Sequence, residues 1–111
     1  MRVINANAYE FDAVESEQDL TLAFAACREF ADANSFLRAC PDASSHDISN
    51  LDPIPYSSFA RSIVRNNILK FHGQDIPADA ELFVINDSWD DLEFIAVFQL
   101  GYFWYHWFTT A

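Results

Sequence analysis

From Arg2 to Phe11 the chain alternates in two registers, Val3, Asn5, Asn7, Tyr9 and Phe11 against Ile4, Ala6, Ala8 and Glu10. A period of two predicts a first β-strand, because successive side chains on a strand point to opposite faces. The pattern then changes. Ser16 to Asp19 read as an N-cap with an acid three residues on, and Leu20, Phe24, Cys27 and Ala31, with Ala23 and Phe30 beside them, fall on one helical stripe. The spacing predicts a helix from Glu17 to Ala31. Asn34-Ser35 breaks it or starts another turn, in which Phe36, Leu37 and Cys40 continue the apolar face until Pro41.

Residues 41 to 55, PDASSHDISNLDPIP, read as an irregular surface loop rich in Ser, Asp and Pro. A loop this long inside a compact domain is often functional, which makes it a second contact region. Ser57 or Ser58 then caps a second helix, with Phe59, Ile63, Val64 and Ile68 facing inward and Arg61 and Arg65 facing out. These arginines are expected to pair with the acid excess elsewhere. The last forty residues predict three strands, near 81 to 87, 92 to 100 and 102 to 109, separated by the turn residues around Asn86-Asp87-Ser88 and by Gly101. Ser88 with Asp91 also resembles a capping box. Aromatic and β-branched side chains dominate 94 to 108, however, and these pack well on a pleated surface and lose rotamer freedom in a helix.

A strand, two helices and a C-terminal three-stranded antiparallel meander make an α+β fold, with the helices packed on one sheet face. At 111 residues the chain has the length of a single domain, residues 1 to 111. The aromatic tail complicates this picture. Six of the seven residues from Tyr102 to Phe108 are Phe, Tyr or Trp. On a strand, Tyr102, Trp104, His106 and Phe108 share one face and Phe103, Tyr105, Trp107 and Thr109 the other. A sheet covered on one side needs only one apolar face. One aromatic set is therefore expected at the surface, where Tyr and Trp serve as interface anchors or form a homodimer contact, unless the two helices and the long loop cover both faces and the rings fill the core.

Charge changes the picture further. Six basic against seventeen acidic side chains give −11, and all six basic residues lie at or before Lys70. From Phe71 onward there are seven acids and no Lys or Arg. Such a field repels nucleic acid and anionic membranes and attracts basic protein surfaces, including those that hold phosphates. Glu10 with Asp12, and Asp91 with Glu93, are alternate residues, which on a strand places each pair on one face about 6 to 7 Å apart. Phosphates along a nucleic-acid strand have a spacing of that order.

Candidate chemistry is sparse. His46, His72 and His106 sit in no recognisable ligand motif, although His46-Asp47 and His72 with Asp75 would each need only further ligands to hold a metal. Two glycines leave no Gly-rich phosphate loop, and there is no Gly-x-Ser-x-Gly or Cys-His arrangement. The expectation is a protein that is not an enzyme, with no cofactor and no metal. Cys27 and Cys40 are too few and too far apart for a zinc cluster or a redox pair, and a disulfide between them stays open. No apolar run suits a signal peptide or a spanning helix, so the chain reads as cytoplasmic, with free thiols.

A small acidic chain without a catalytic motif resembles, at the level of class, the small phage-encoded anti-defence proteins, such as anti-CRISPR and anti-restriction DNA mimics. The resemblance covers composition and size and transfers no functional residues. It implies an inhibitor in the host cytoplasm whose partner is a basic nucleic-acid-handling protein, a CRISPR effector or host nuclease, with no direct binding of nucleic acid or membrane. The expected partner-binding residues are Asp87, Trp89, Asp90, Asp91 and Glu93, with Tyr102 and Trp104 from the tail and Glu10 and Asp12 from the first strand. Reversing Asp90, Asp91 and Glu93 to Lys is expected to abolish binding and leave stability nearly unchanged. Two alternatives are an immunity protein or antitoxin masking a toxin nuclease, and a small-ligand domain in which Trp104, His106 and Trp107 line a cavity with converging polar groups.

Overall fold

The computed structural model describes residues 1 to 7, 18 to 41, 47 to 59 and 61 to 109. The chain is α+β, with a six-stranded antiparallel sheet and three α-helices among the described residues. In chain order these are β1 (Arg2–Asn7), β2 (Gln18–Ala26), α1 (Ala33–Ala39), β3 (Ile54–Pro55), α2 (Tyr56–Phe59), α3 (Ser62–His72), β4 (Glu81–Asp87), β5 (Asp91–Phe98) and β6 (Gly101–Thr109). A short 3-10 turn, Cys27–Glu29, follows β2. The spatial order is β1-β2-β6-β5-β4-β3, so the meander of β4, β5 and β6 is completed by the β1-β2 pair docking on β6.

The segment expected to be a helix from Glu17 to Ala31 is instead β2, bonded along its length to β1 and to β6. It carries a strand pattern as well as a helical one, with Leu20, Leu22 and Phe24 alternating with Thr21, Ala23 and Ala25. Helix propensity is a weak prior that tertiary pairing overrides. Ala23 stands opposite Trp104 and Ala25 opposite Tyr102, so the small side chains that suit a helix serve here as spacers beside large rings.

The rings of β6 fill both faces of the sheet. On one face Phe103, Tyr105 and Trp107 pack with Leu20, Leu22, Leu82 and Phe94 under Tyr56 of α2 and Val64 and Ile68 of α3. Phe94 stacks on Tyr105 with centroids 5.0 Å apart. On the other face Tyr102 and Trp104 pack with Ala23, Ala25 and Ile95 under Phe36 and Leu37 of α1 and Ile48 of the long loop. Phe36 stacks on Tyr102 at 5.3 Å. Helices therefore cover both faces, not one, and the two-sided aromatic strand is the consequence: a central strand buried on both sides has no polar face to present.

Local chemistry sets the helix ends. Asp32 caps α1 by accepting the Ser35 N–H at 2.8 Å. The second predicted helix is divided into α2 and α3, and the Ser58 hydroxyl donates to the Pro55 carbonyl at 2.8 Å rather than capping a new helix. Gly73 ends α3 in the left-handed conformation with φ +93°. Arg61 and Arg65 pair with acids as expected, Arg61 with Asp87 at 2.6 Å and Arg65 with Asp75 at 3.1 Å. Ile63, expected inside, is 64% exposed, because α3 turns Val64, Asn67 and Ile68 inward and leaves Ile63 at the flank. No helix among the described residues is long and apolar enough to cross a membrane.

Candidate functional site

The sheet sorts the expected binding residues into three groups. Asp87, Trp89 and Asp90 lie at the turn between β4 and β5, where the Trp89 side chain is 77% exposed. Glu93, Tyr102 and Trp104 are buried on the α1 side of the sheet and are corrected from surface to core. Glu10 and Asp12 lie outside the described residues. Asp91 and Glu93 do share a face, but Glu93 is buried there and Asp91, half-buried, is engaged with His106. Asp91 Oδ1 is 3.0 Å from His106 Nε2, and Glu93, 4% exposed, accepts the Trp104 indole N–H at 2.8 Å. No ladder of exposed charges results from that pair. The triple reversal to Lys would put a cation at buried Glu93, so the expected neutrality for stability is also corrected.

The β4-β5 turn is held by its own polar groups. The Ser88 N–H donates to the Asp91 carbonyl at 2.9 Å, and the Ser88 hydroxyl shares its one proton between Asp90 Oδ1 at 3.0 Å and that carbonyl at 3.1 Å. The Thr109 N–H donates to the Asp90 carbonyl at 2.9 Å, which fastens the turn to the end of β6. These bonds fix the turn backbone on either side of Trp89.

Between this turn and α3 lies a groove of about 160 Å³. Its rim is Trp89 and Ser88 on one side and Arg61 and Ile63 on the other, and its base is Val64, Leu92, Tyr105 and Trp107. Asn67 reaches the base from α3 and donates its Nδ2–H to the Tyr105 hydroxyl at 3.1 Å. Burial pushes the Tyr105 phenol up to about 12, so it stays protonated. The Trp107 indole N–H donates to Gln18 Oε1 at 3.0 Å. With these polar atoms engaged inside the protein, the groove offers mainly apolar surface. Arg61 is held across the rim, its guanidinium paired with Asp87 and lying 5.1 Å over the Phe59 ring. Ile63, Asn67, Leu92 and Tyr105 were not anticipated as site residues, and Trp107 was expected at a cavity only in the company of Trp104 and His106. A hint existed in the sequence, since Ile63 sits at the margin of the helical stripe and Trp107 shares a strand face with Tyr105.

Elsewhere the candidate chemistry is absorbed by structure. Asp75 accepts the Tyr56 hydroxyl at 2.7 Å and the Arg65 Nε–H at 3.1 Å, which removes it as a ligand partner for His72. His46 lies outside the described residues. Among the described residues no three His, Cys, Asp or Glu side chains converge as a metal site. Trp104 and His106 stand on one face of β6 and Trp107 on the other, so these three do not line one cavity. Both cysteines are free, Cys27 exposed and Cys40 buried. Burial and the charge of Glu93 push the Cys40 thiol up to about 12, which makes it inert. No protein-family model, no curated protein and no solved structure matches this chain.

Proposed function

We propose that the chain is a non-catalytic inhibitor that docks on a basic, nucleic-acid-handling protein, a CRISPR effector or host nuclease, through the β4-β5 turn and its surroundings. The observation that carries this reading is Trp89. A Trp side chain 77% exposed, in a hydrogen-bonded turn flanked by Asp87 and Asp90, places the residue type most enriched in interface hot spots inside a one-signed field. The last forty-one residues contain no Lys or Arg, and Arg61, which reaches the turn from α3, is paired with Asp87. Rigid presentation lowers the ordering cost of association. The binding set is smaller than the sequence implied: Trp89, Asp90 and Asp87, with Asp91 at its margin.

The reading is tested by immobilising the protein, capturing from bacterial lysate with and without phage infection or a CRISPR system, and challenging retained proteins with duplex DNA and with salt. Retention of a basic nucleic-acid-binding protein that DNA displaces, and that Asp90→Lys with Trp89→Ala abolishes, is the expected result. Retained partners that DNA leaves in place would overturn the decoy reading.

A further inference from the structure

We infer that the groove between α3 and the β4-β5 turn seats one apolar side chain of a basic peptide segment, an aromatic ring whose cationic neighbours lie against Asp90. This rests on the reading of the chain as a partner-binding protein and names what that partner must present.

Size fixes the scale of the occupant. At about 160 Å³ the groove is well below the ~300 to 1,000 Å³ of small-molecule sites. It matches the ~150 Å³ that holds one benzene-sized ring in a protein cavity. One side chain fits where a cofactor does not. The lining fixes polarity. Ile63, Val64, Leu92 and the rings of Trp89, Tyr105 and Trp107 are apolar, and the polar atoms at the base are turned to each other, Asn67 to Tyr105 and Trp107 to Gln18. A polar occupant would give up water for little return, whereas a ring gains burial and ring-ring contact.

Charge fixes the neighbours of that ring. Arg61 would repel a cation at the rim, but its guanidinium is paired with Asp87 at 2.6 Å. The Asp90 carboxylate, by contrast, accepts only a neutral partner, the Ser88 hydroxyl, among the described residues. No Lys or Arg lies beyond Lys70 in the chain. Two exposed apolar side chains, Trp89 and Ile63, line the groove at 77% and 64% exposure. An apolar pair framing a ring-sized recess beside uncompensated negative charge fits a basic segment with one aromatic anchor.

The test uses the full chain, isotope-labelled, titrated with three pentapeptides: Lys-Arg-Phe-Arg-Lys, Lys-Arg-Ala-Arg-Lys and Glu-Glu-Phe-Glu-Glu. Indole N–H resonances of Trp89 and Trp107 report the groove, and that of Trp104, bonded in the core, is the internal control. The basic Phe peptide is expected to shift Trp89 and Trp107 saturably and leave Trp104 unmoved. Replacing its Phe by Ala, reversing its charges, or using Ile63→Glu or Trp89→Ala protein should each weaken binding roughly tenfold or more. Both substituted positions are exposed, so thermal melts should match the parent. Equal binding of the Phe and Ala peptides would overturn the anchor, as would equal binding of the acidic peptide or silence at both indoles. Any of these with DNA-displaceable capture intact would sink the groove alone and leave the broader reading standing.

Discussion

The Trp104 indole N–H donates to Glu93 Oε2 at 2.8 Å, and both side chains are buried on the same face of the sheet. Removing the donor should therefore be costly. Trp104→Phe is expected to destabilise by about 2 to 3 kcal/mol, the range for a hydrogen bond to a charged group with some lost packing. Glu93→Gln keeps an acceptor for the indole and should cost less, whereas Glu93→Lys should prevent folding. Urea unfolding of the three variants checks the order. A Trp104→Phe protein as stable as the parent would show that the bond adds nothing.

His72 predicts a pH dependence. Its ring lies 4.2 Å from that of Phe24 and 5.2 Å from that of Phe103, and its Nδ1 is buried without a hydrogen-bond partner. Burial, and then the charge of Arg2, hold its pKa below the ordinary 6.5. As pH falls below about 6.5 the unfolded chain takes up this proton before the folded one, so stability falls through that window until the lower folded-state pKa is passed. His72→Phe should remove this component. The parent should lose more stability than the variant between about pH 7.5 and about pH 5.5, values that bracket an ordinary His. Equal losses would show that His72 is not responsible.

Two glycines should differ in kind. A Cβ at Gly101 would stand 2.2 Å from the Ala25 carbonyl oxygen, so β2 and β6 would have to separate. Gly101→Ala is expected to cost up to about 3 kcal/mol through overpacking. At Gly73 nothing lies within 4 Å and only φ +93° opposes a side chain, so Gly73→Ala should cost roughly 1 to 2 kcal/mol. Denaturant midpoints for both variants give the comparison, and a Gly101→Ala chain with unchanged stability would contradict the close approach.

Thiol labelling offers a direct probe of the α1 side. Cys40 is 4% exposed, donates its Sγ–H to the Phe36 carbonyl at 3.4 Å, and has a thiol pushed up to about 12. A maleimide should label one thiol per native chain, at Cys27, and both in denaturant. Equal native labelling of the two cysteines would mean that α1 does not cover the sheet.

The turn itself is separable from the core. Trp89→Ala removes a side chain 77% exposed and should change stability by no more than about 0.5 kcal/mol, as for surface substitutions elsewhere. A large loss in a calorimetric melt would mean that Trp89 is part of the fold and not a presented contact.

Four strands and the helix of Val64 and Ile68 were legible in the sequence, because each carries a pattern that one period explains: β1 through its alternation, β4, β5 and β6 through β-branched and aromatic runs, α3 through its apolar stripe. The acidic turn with Trp89 was legible too, since turn chemistry between two strands leaves its central residues outside the sheet. The sequence by itself determined the α+β class, the C-terminal meander and the one-signed charge of the last third. Only the tertiary structure decided that Leu20 to Ala26 is a strand, because Ala-rich alternation satisfies both periods and pairing with β1 and β6 chooses between them. It also decided that both aromatic faces of β6 are covered and that Glu93 and Trp104 satisfy each other inside. The groove belongs to this second class, since α3, the β4-β5 turn and β6 meet there from positions up to forty-six residues apart, Arg61 to Trp107. Local patterns record which face a side chain prefers, and the contacts that cover that face come from distant parts of the chain.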